Sequence, residues 1–162
     1  MTDVTLPRLK GKALWPINCC LGEVSCALGT QLLDRVDEMN AQRRARALAV
    51  IDALADCPEL VFHREASLRH SYYLLAAHVQ RGLRDRFIRR MAEHHGIQCV
   101  VQYYPLNRYP LYRDLGFGEA VVPSTDAFFD NMVSLPFSHL LTDVQIKQII
   151  AATRETVEFL RR

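Results

Sequence analysis

Lysine is scarce in this chain: of its 20 basic residues only Lys10, Lys12 and Lys147 are lysines, and the rest are arginines. Chemistry that depends on a lysine amine therefore has three candidates. Charge of one sign is also missing, because 18 acidic residues leave a net charge of +2. That balance argues against a nucleic-acid or acidic-membrane partner, which would call for a strongly basic surface. No stretch approaches the roughly 20 apolar residues of a membrane span, and residues 1–16 hold no apolar core of signal-peptide length. The expectation is a cytoplasmic protein with no membrane partner. Repeats and low-complexity tracts are absent, which removes solenoids and disordered tails. The five cysteines, Cys19, Cys20, Cys26, Cys57 and Cys99, are an odd number with no CxxC pair. They read as reduced thiols. A metal site built from Cys19, Cys20 and His94 or His95 has no ligand spacing behind it, so no metal site is read from the sequence.

What is present is a chain of 162 residues with 49% hydrophobic content. That suffices for one domain that buries roughly 70% of its unfolded surface. Apolar residues at steps of three and four run through 23–55, from Val24, Leu28, Leu32, Val36 and Met39 to Leu48, Ile51 and Leu54. This is helical periodicity, in two helices meeting near 37–41 or one long bent helix. Pro58 closes it. The arginines at 43, 44 and 46, and those between 81 and 90, read as solvated helix faces.

Short aromatic-rich runs at 60–62 and 72–79 suit strands. Leu83, Phe87, Ile88 and Met91 restore helical spacing up to Gly96, a helix stop preceded by His94 and His95. Residues 97–104 are apolar and β-branched, which predicts a further strand. Between 105 and 124, Pro110, Gly116, Gly118 and Pro123 break any regular structure and predict a long functional loop. Ser124 or Thr125 is placed to cap a short helix through Phe128 and Phe129, followed by a strand at 133–135. Thr142 and Gln145 have the spacing of a capping box and open a final helix. This order predicts an α+β fold, a small sheet with helices packed on one face.

Four segments carry a resemblance. They are 16–23 (Pro-Ile-Asn-Cys-Cys-Leu-Gly-Glu), 27–38 with its Ala-Leu-Gly and Leu-Leu-Asp-Arg-Val-Asp-Glu, 103–113 (Tyr-Tyr-Pro-Leu-Asn-Arg-Tyr-Pro-Leu-Tyr-Arg), and 128–136 (Phe-Phe-Asp-Asn-Met-Val-Ser-Leu-Pro). Together and in this order they resemble the C-terminal part of the DegT/DnrJ/EryC1/StrS aminotransferases, which act on nucleotide-linked keto sugars and cyclitols. The resemblance implies a fold-type-I, usually dimeric enzyme with pyridoxal phosphate between its domains. It implies that 1–35 is a remnant of the large-domain and interface segment leading into a long helix, and that 36–162 is the small domain. The Schiff-base lysine would lie ahead of residue 1, so no catalytic residue is assigned in this chain. Pyridoxal phosphate would bind only if a large-domain partner completed the site.

By the same resemblance, Asn18 reaches the cofactor phosphate of a neighbouring subunit, and Cys20 stands where an arginine is usual. His70 precedes a strand facing the active site. Tyr104, Asn107 and Arg108 lie in the loop lining the sugar cleft, with Asn107 in place of a common histidine. Aromatic rings and an arginine there suit a nucleotide sugar. His139 is shifted by one residue from another histidine of the family. Two functions follow as expectations: a substrate-side portion of an aminotransferase completed by a companion large-domain chain, or a non-catalytic dimerisation or regulatory module that works by self-association.

Overall fold

The computed structural model describes residues 20–65 and 70–162. Its elements are α1 (Glu23–Leu33), α2 (Val36–Ala53), β1 (Leu60–Phe62), β2 (Leu75–Val79), α3 (Arg84–His95), α4 (Pro110–Tyr112), α5 (Pro123–Asn131), β3 (Met132–Leu135) and α6 (Asp143–Leu160). The long helical stretch divides at Asp34 and Arg35, a few residues ahead of the expected junction, and α1 buries none of its residues.

The strands form one antiparallel sheet in the order β1-β2-β3. Alternation sorts its residues: in β2, Leu75, Ala77 and Val79 are buried, whereas Ala76 and His78 are half-buried on the other face. The buried row meets Val50 and Ile51 of α2, Phe87 and Met91 of α3, and Ile149, Val157 and Leu160 of α6 in a single core. Phe87, Met91, Val79 and Val133 are wholly inaccessible. The opposite face carries Val61, His78 and Met132 in register. There α5 lays the Phe128 ring edge-on against His78 with centroids 4.7 Å apart. The α+β expectation, with its principal helices on one face, is met.

Local signals explain the well-placed elements. Thr142 Oγ1 accepts from the Gln145 N–H at 3.2 Å, and Gln145 Oε1 accepts from the Thr142 N–H at 2.9 Å, a complete capping box for α6. Gly96 ends α3 in the left-handed conformation at φ 64°.

Other expectations fail for tertiary reasons. Residues 97–104 form no strand. Val100 exchanges both backbone hydrogen bonds with Ser134, but the Gln102 N–H then turns to Met132 Sδ, so pairing stops after one residue. The aromatic run at 72–79 becomes strand only from Leu75, because Tyr72 takes a positive φ of 46° and leaves the extended region. The loop after Pro105 winds into short helical turns at Leu106–Arg108, Pro110–Tyr112 and Arg113–Phe117. Neither Ser124 nor Thr125 caps α5: Pro123 occupies its first turn and Val122 its N-cap.

The solvated reading of the 43–46 arginines is also overturned. Arg46 donates to the carbonyls of His139 and Leu141, Arg43 bonds His139 Nδ1 at 3.3 Å, and Arg44 donates to the Glu65 carbonyl. Arg43 and Arg44 also lie over the Tyr73 and Tyr72 rings. In the second cluster, Arg84 donates to the Phe129 carbonyl, and Arg90 stacks on Phe159 at 4.3 Å. These side chains act as braces between elements.

Candidate functional site

Helix α5 organises the surface on which most of the expected site residues lie. Its adjacent rings serve different places: Phe129 packs with the 103–113 loop, and Phe128 covers the open face of the sheet.

On the Phe129 side, Tyr104 packs edge-on between Tyr109 at 4.9 Å and Phe129 at 5.3 Å. Arg108 crosses to α5, where it bonds Asp126, approaches Asp130 at 3.6 Å and lies over the Phe129 ring at 5.4 Å. The Asp126 carboxylate beside it raises the guanidinium pKa above its usual value. Asn107 Nδ2 donates to the Ala120 carbonyl at 3.1 Å, which leaves its side-chain oxygen uncommitted by that bond. Beneath it lies an apolar cavity of about 490 Å³ lined by Leu106, Asn107, Tyr112, Phe117, Val122 and Thr125. Its volume falls within the ordinary range for small-molecule sites, and its polar groups are few.

On the Phe128 side, His70 lies in a second concavity of about 320 Å³ with His63, Tyr73 and Phe128. The Tyr72 N–H donates to His70 Nδ1 at 3.2 Å. Nδ1 is thereby the acceptor, and the ring proton falls on Nε2. The His70 ring also meets Tyr72 edge-on at 4.3 Å. His63 stands 5.6 Å away and sequence reasoning missed it, since nothing in its local pattern marks it.

Tyr104 and Arg108 thus meet at Phe129, Asn107 lines a cavity that neither of them lines, and His70 occupies a hollow beside Phe128. His139 lies elsewhere, bound to Arg43 and Arg46 of α2. Asn18, with Cys19, Lys10 and Lys12, falls outside the described residues. Among the described residues Lys147 is the one lysine; it is exposed on α6 and lines neither concavity. No described helix is long and apolar enough to cross a membrane.

A three-stranded antiparallel sheet backed by helices, with an aromatic loop folded over α5, defines the class as a small α+β domain. The chain belongs to the DegT/DnrJ/EryC1/StrS aminotransferase family, whose model matches residues 8–154. It is 25% identical over 144 residues to the spore coat polysaccharide biosynthesis protein SpsC of Bacillus subtilis, covering 84% of this chain and 36% of that protein. It is 29% identical over 147 residues to the dTDP-3-amino-3,4,6-trideoxy-alpha-D-glucose transaminase of Micromonospora megalomicea, covering 86% of this chain and 38% of that protein. Among solved structures, it matches the PMP form of Spr1654 from Streptococcus pneumoniae with a TM-score of 0.75 and 25% identity, over 86% of this chain and 36% of that one. The chain thus spans little more than a third of the length of these relatives.

Proposed function

We propose that this chain supplies the substrate-side portion of a pyridoxal-phosphate-dependent aminotransferase acting on a nucleotide-linked keto sugar or ketocyclitol. The amine that holds the cofactor comes from a large-domain portion outside the described residues. The observation that carries this reading is the family match along nearly the whole chain against little more than a third of its relatives' length. The surface supports it. Val24, Leu28 and Leu32 are 85%, 61% and 42% exposed at steps of four along α1, an apolar row suited to packing against a large domain. In this reading 1–35 is the interface segment and 36–162 the small domain. Asn18 donates to the cofactor phosphate, and His70, Tyr104, Asn107 and Arg108 form the sugar side.

The first test is direct. The chain mixed with pyridoxal phosphate and treated with borohydride yields no single stoichiometric adduct on Lys10, Lys12 or Lys147 by peptide mapping. One such adduct overturns the reading. With a companion large-domain chain present, Asn18→Ala weakens cofactor retention by on the order of 1–3 kcal/mol. Arg108→Ala raises the KM for the sugar with less effect on the cofactor.

A second reading, a non-catalytic dimerisation or regulatory module, is favoured by the internal engagement of the loop. Arg108 is spent on Asp126 and Asp130, Asn107 on a backbone carbonyl, and Cys20 replaces a charged phosphate donor. Reconstituted activity indifferent to both substitutions puts this second reading ahead.

A further inference from the structure

Away from both concavities, α3 and α6 pack side by side, and the last residues of α3 meet the middle of α6. A ring nitrogen of His94, a ring nitrogen of His95 and a carboxylate oxygen of Glu155 all lie within 4.8 Å of one another there. His94 Nε2 stands 3.2 Å from Glu155 Oε1, and the two imidazoles meet edge-on with centroids 4.8 Å apart. His95 Nε2 is buried and has no hydrogen-bond partner. Buried polar atoms are rarely left unpaired, so this nitrogen calls for an explanation.

We propose that His94, His95 and Glu155 form a divalent-cation site of the zinc type. Two imidazoles and one carboxylate are a borderline nitrogen and oxygen set, which suits zinc, cobalt or nickel better than magnesium or calcium. The spacing fits as well. Ligand atoms about 2.1 Å from a tetrahedral ion are about 3.4 Å apart, close to the His94–Glu155 distance. The remaining span closes by rotation of His94 and Glu155, whose side chains are 47% and 56% exposed. A fourth position stays open to water, because the cluster lies at the surface. The C-terminal end of α3, terminated at Gly96, adds the negative end of its dipole, which favours a cation.

One charge opposes the ion. Arg90 approaches Glu155 at 3.9 Å, at the outer limit of an ion pair. Its guanidinium lies 4.3 Å from the Phe159 ring centroid, so it keeps a partner when Glu155 turns to the metal. The sequence conceals this site, because Glu155 lies 61 positions from His94 and forms no motif with it.

The test uses the full chain, stripped with chelator and kept reduced, titrated with zinc(II) by calorimetry and with cobalt(II) by absorbance. One equivalent is expected to bind in the micromolar range, with a visible cobalt band and no thiolate charge-transfer band in the near ultraviolet. Single substitutions His94→Ala and Glu155→Gln should each weaken binding by roughly tenfold or more. Circular dichroism serves to verify that both exposed substitutions leave the fold intact. No binding below millimolar metal overturns the proposal, as does a thiolate band or an affinity that neither substitution changes.

Discussion

At the scale of single residues, charges near the helix ends act as fasteners between distant parts of the chain. Glu59 is nearly buried, and Arg161 beyond the end of α6 donates to both of its oxygens at 2.8 and 2.9 Å. That paired hydrogen bond holds the Glu59 carboxyl below its usual pKa. Asp56 is lowered in the same way by Arg154. The sign follows from linkage. A carboxyl whose folded pKa is depressed contributes its stability fully above its unfolded pKa, near 4.5 for Glu59, and loses it as the pH falls through the lower folded value. Glu59→Gln should therefore lower stability at pH 7, by less than the loss of a fully buried charge-assisted bond because Arg161 is half exposed. The variant should also lose less stability than the parent between pH 6 and pH 3. Urea titrations at several pH values measure both; equal acid sensitivity in the two proteins would show that Glu59 contributes nothing. The cysteines differ by environment: burial pushes the Cys99 thiol up to about 12, whereas Cys26 is exposed.

At the scale of elements, α6 presents two opposite cases of hydrogen bonding. The Thr142 and Gln145 box satisfies orphan donors at its start, so Thr142→Ala is expected to destabilise the domain by about 1 kcal/mol. Thr153 lies in the middle of the helix, wholly buried, with its hydroxyl unpartnered. Thr156, one turn nearer the end, instead reaches Met91 Sδ at 3.3 Å. An unpaired buried hydroxyl costs desolvation with no return, and valine has nearly the same shape. Thr153→Val should then raise stability, by up to about 1 kcal/mol. Paired thermal melts of the two variants give shifts of opposite sign; a drop for Thr153→Val would mean that its hydroxyl has a partner after all.

At the scale of the whole molecule, α1 is set apart from the rest. α2, α3 and α6 each bury side chains in the core, whereas α1 buries none and carries a row of exposed leucines and Val24. Such a patch on an isolated chain drives association. The chain alone is expected to self-associate with rising concentration, and Val24→Glu with Leu28→Glu should reverse this without changing the melting of the core. Sedimentation velocity across a concentration series decides the matter, and a clean monomer at high concentration in the parent would remove α1 as an interface.

The sequence by itself determined what depends on neighbours a few positions apart. Apolar periodicity marked α2, α3 and α6, the capping box marked the start of α6, Gly96 marked the end of α3, and the ordered segments from 16 to 136 indicated the family. Only the tertiary structure decided which polar groups are spent and which converge. Arg46 finds the carbonyl of a residue 93 positions away, and Arg108 is claimed by α5. The apolar run at 97–104 is left with one bridge to β3, because a strand exists through its partner's backbone and not through its own propensity. His63 joins His70, and His94 and His95 meet Glu155, for the same reason: periodicity reports which face of an element is buried, but not which distant element lies against it.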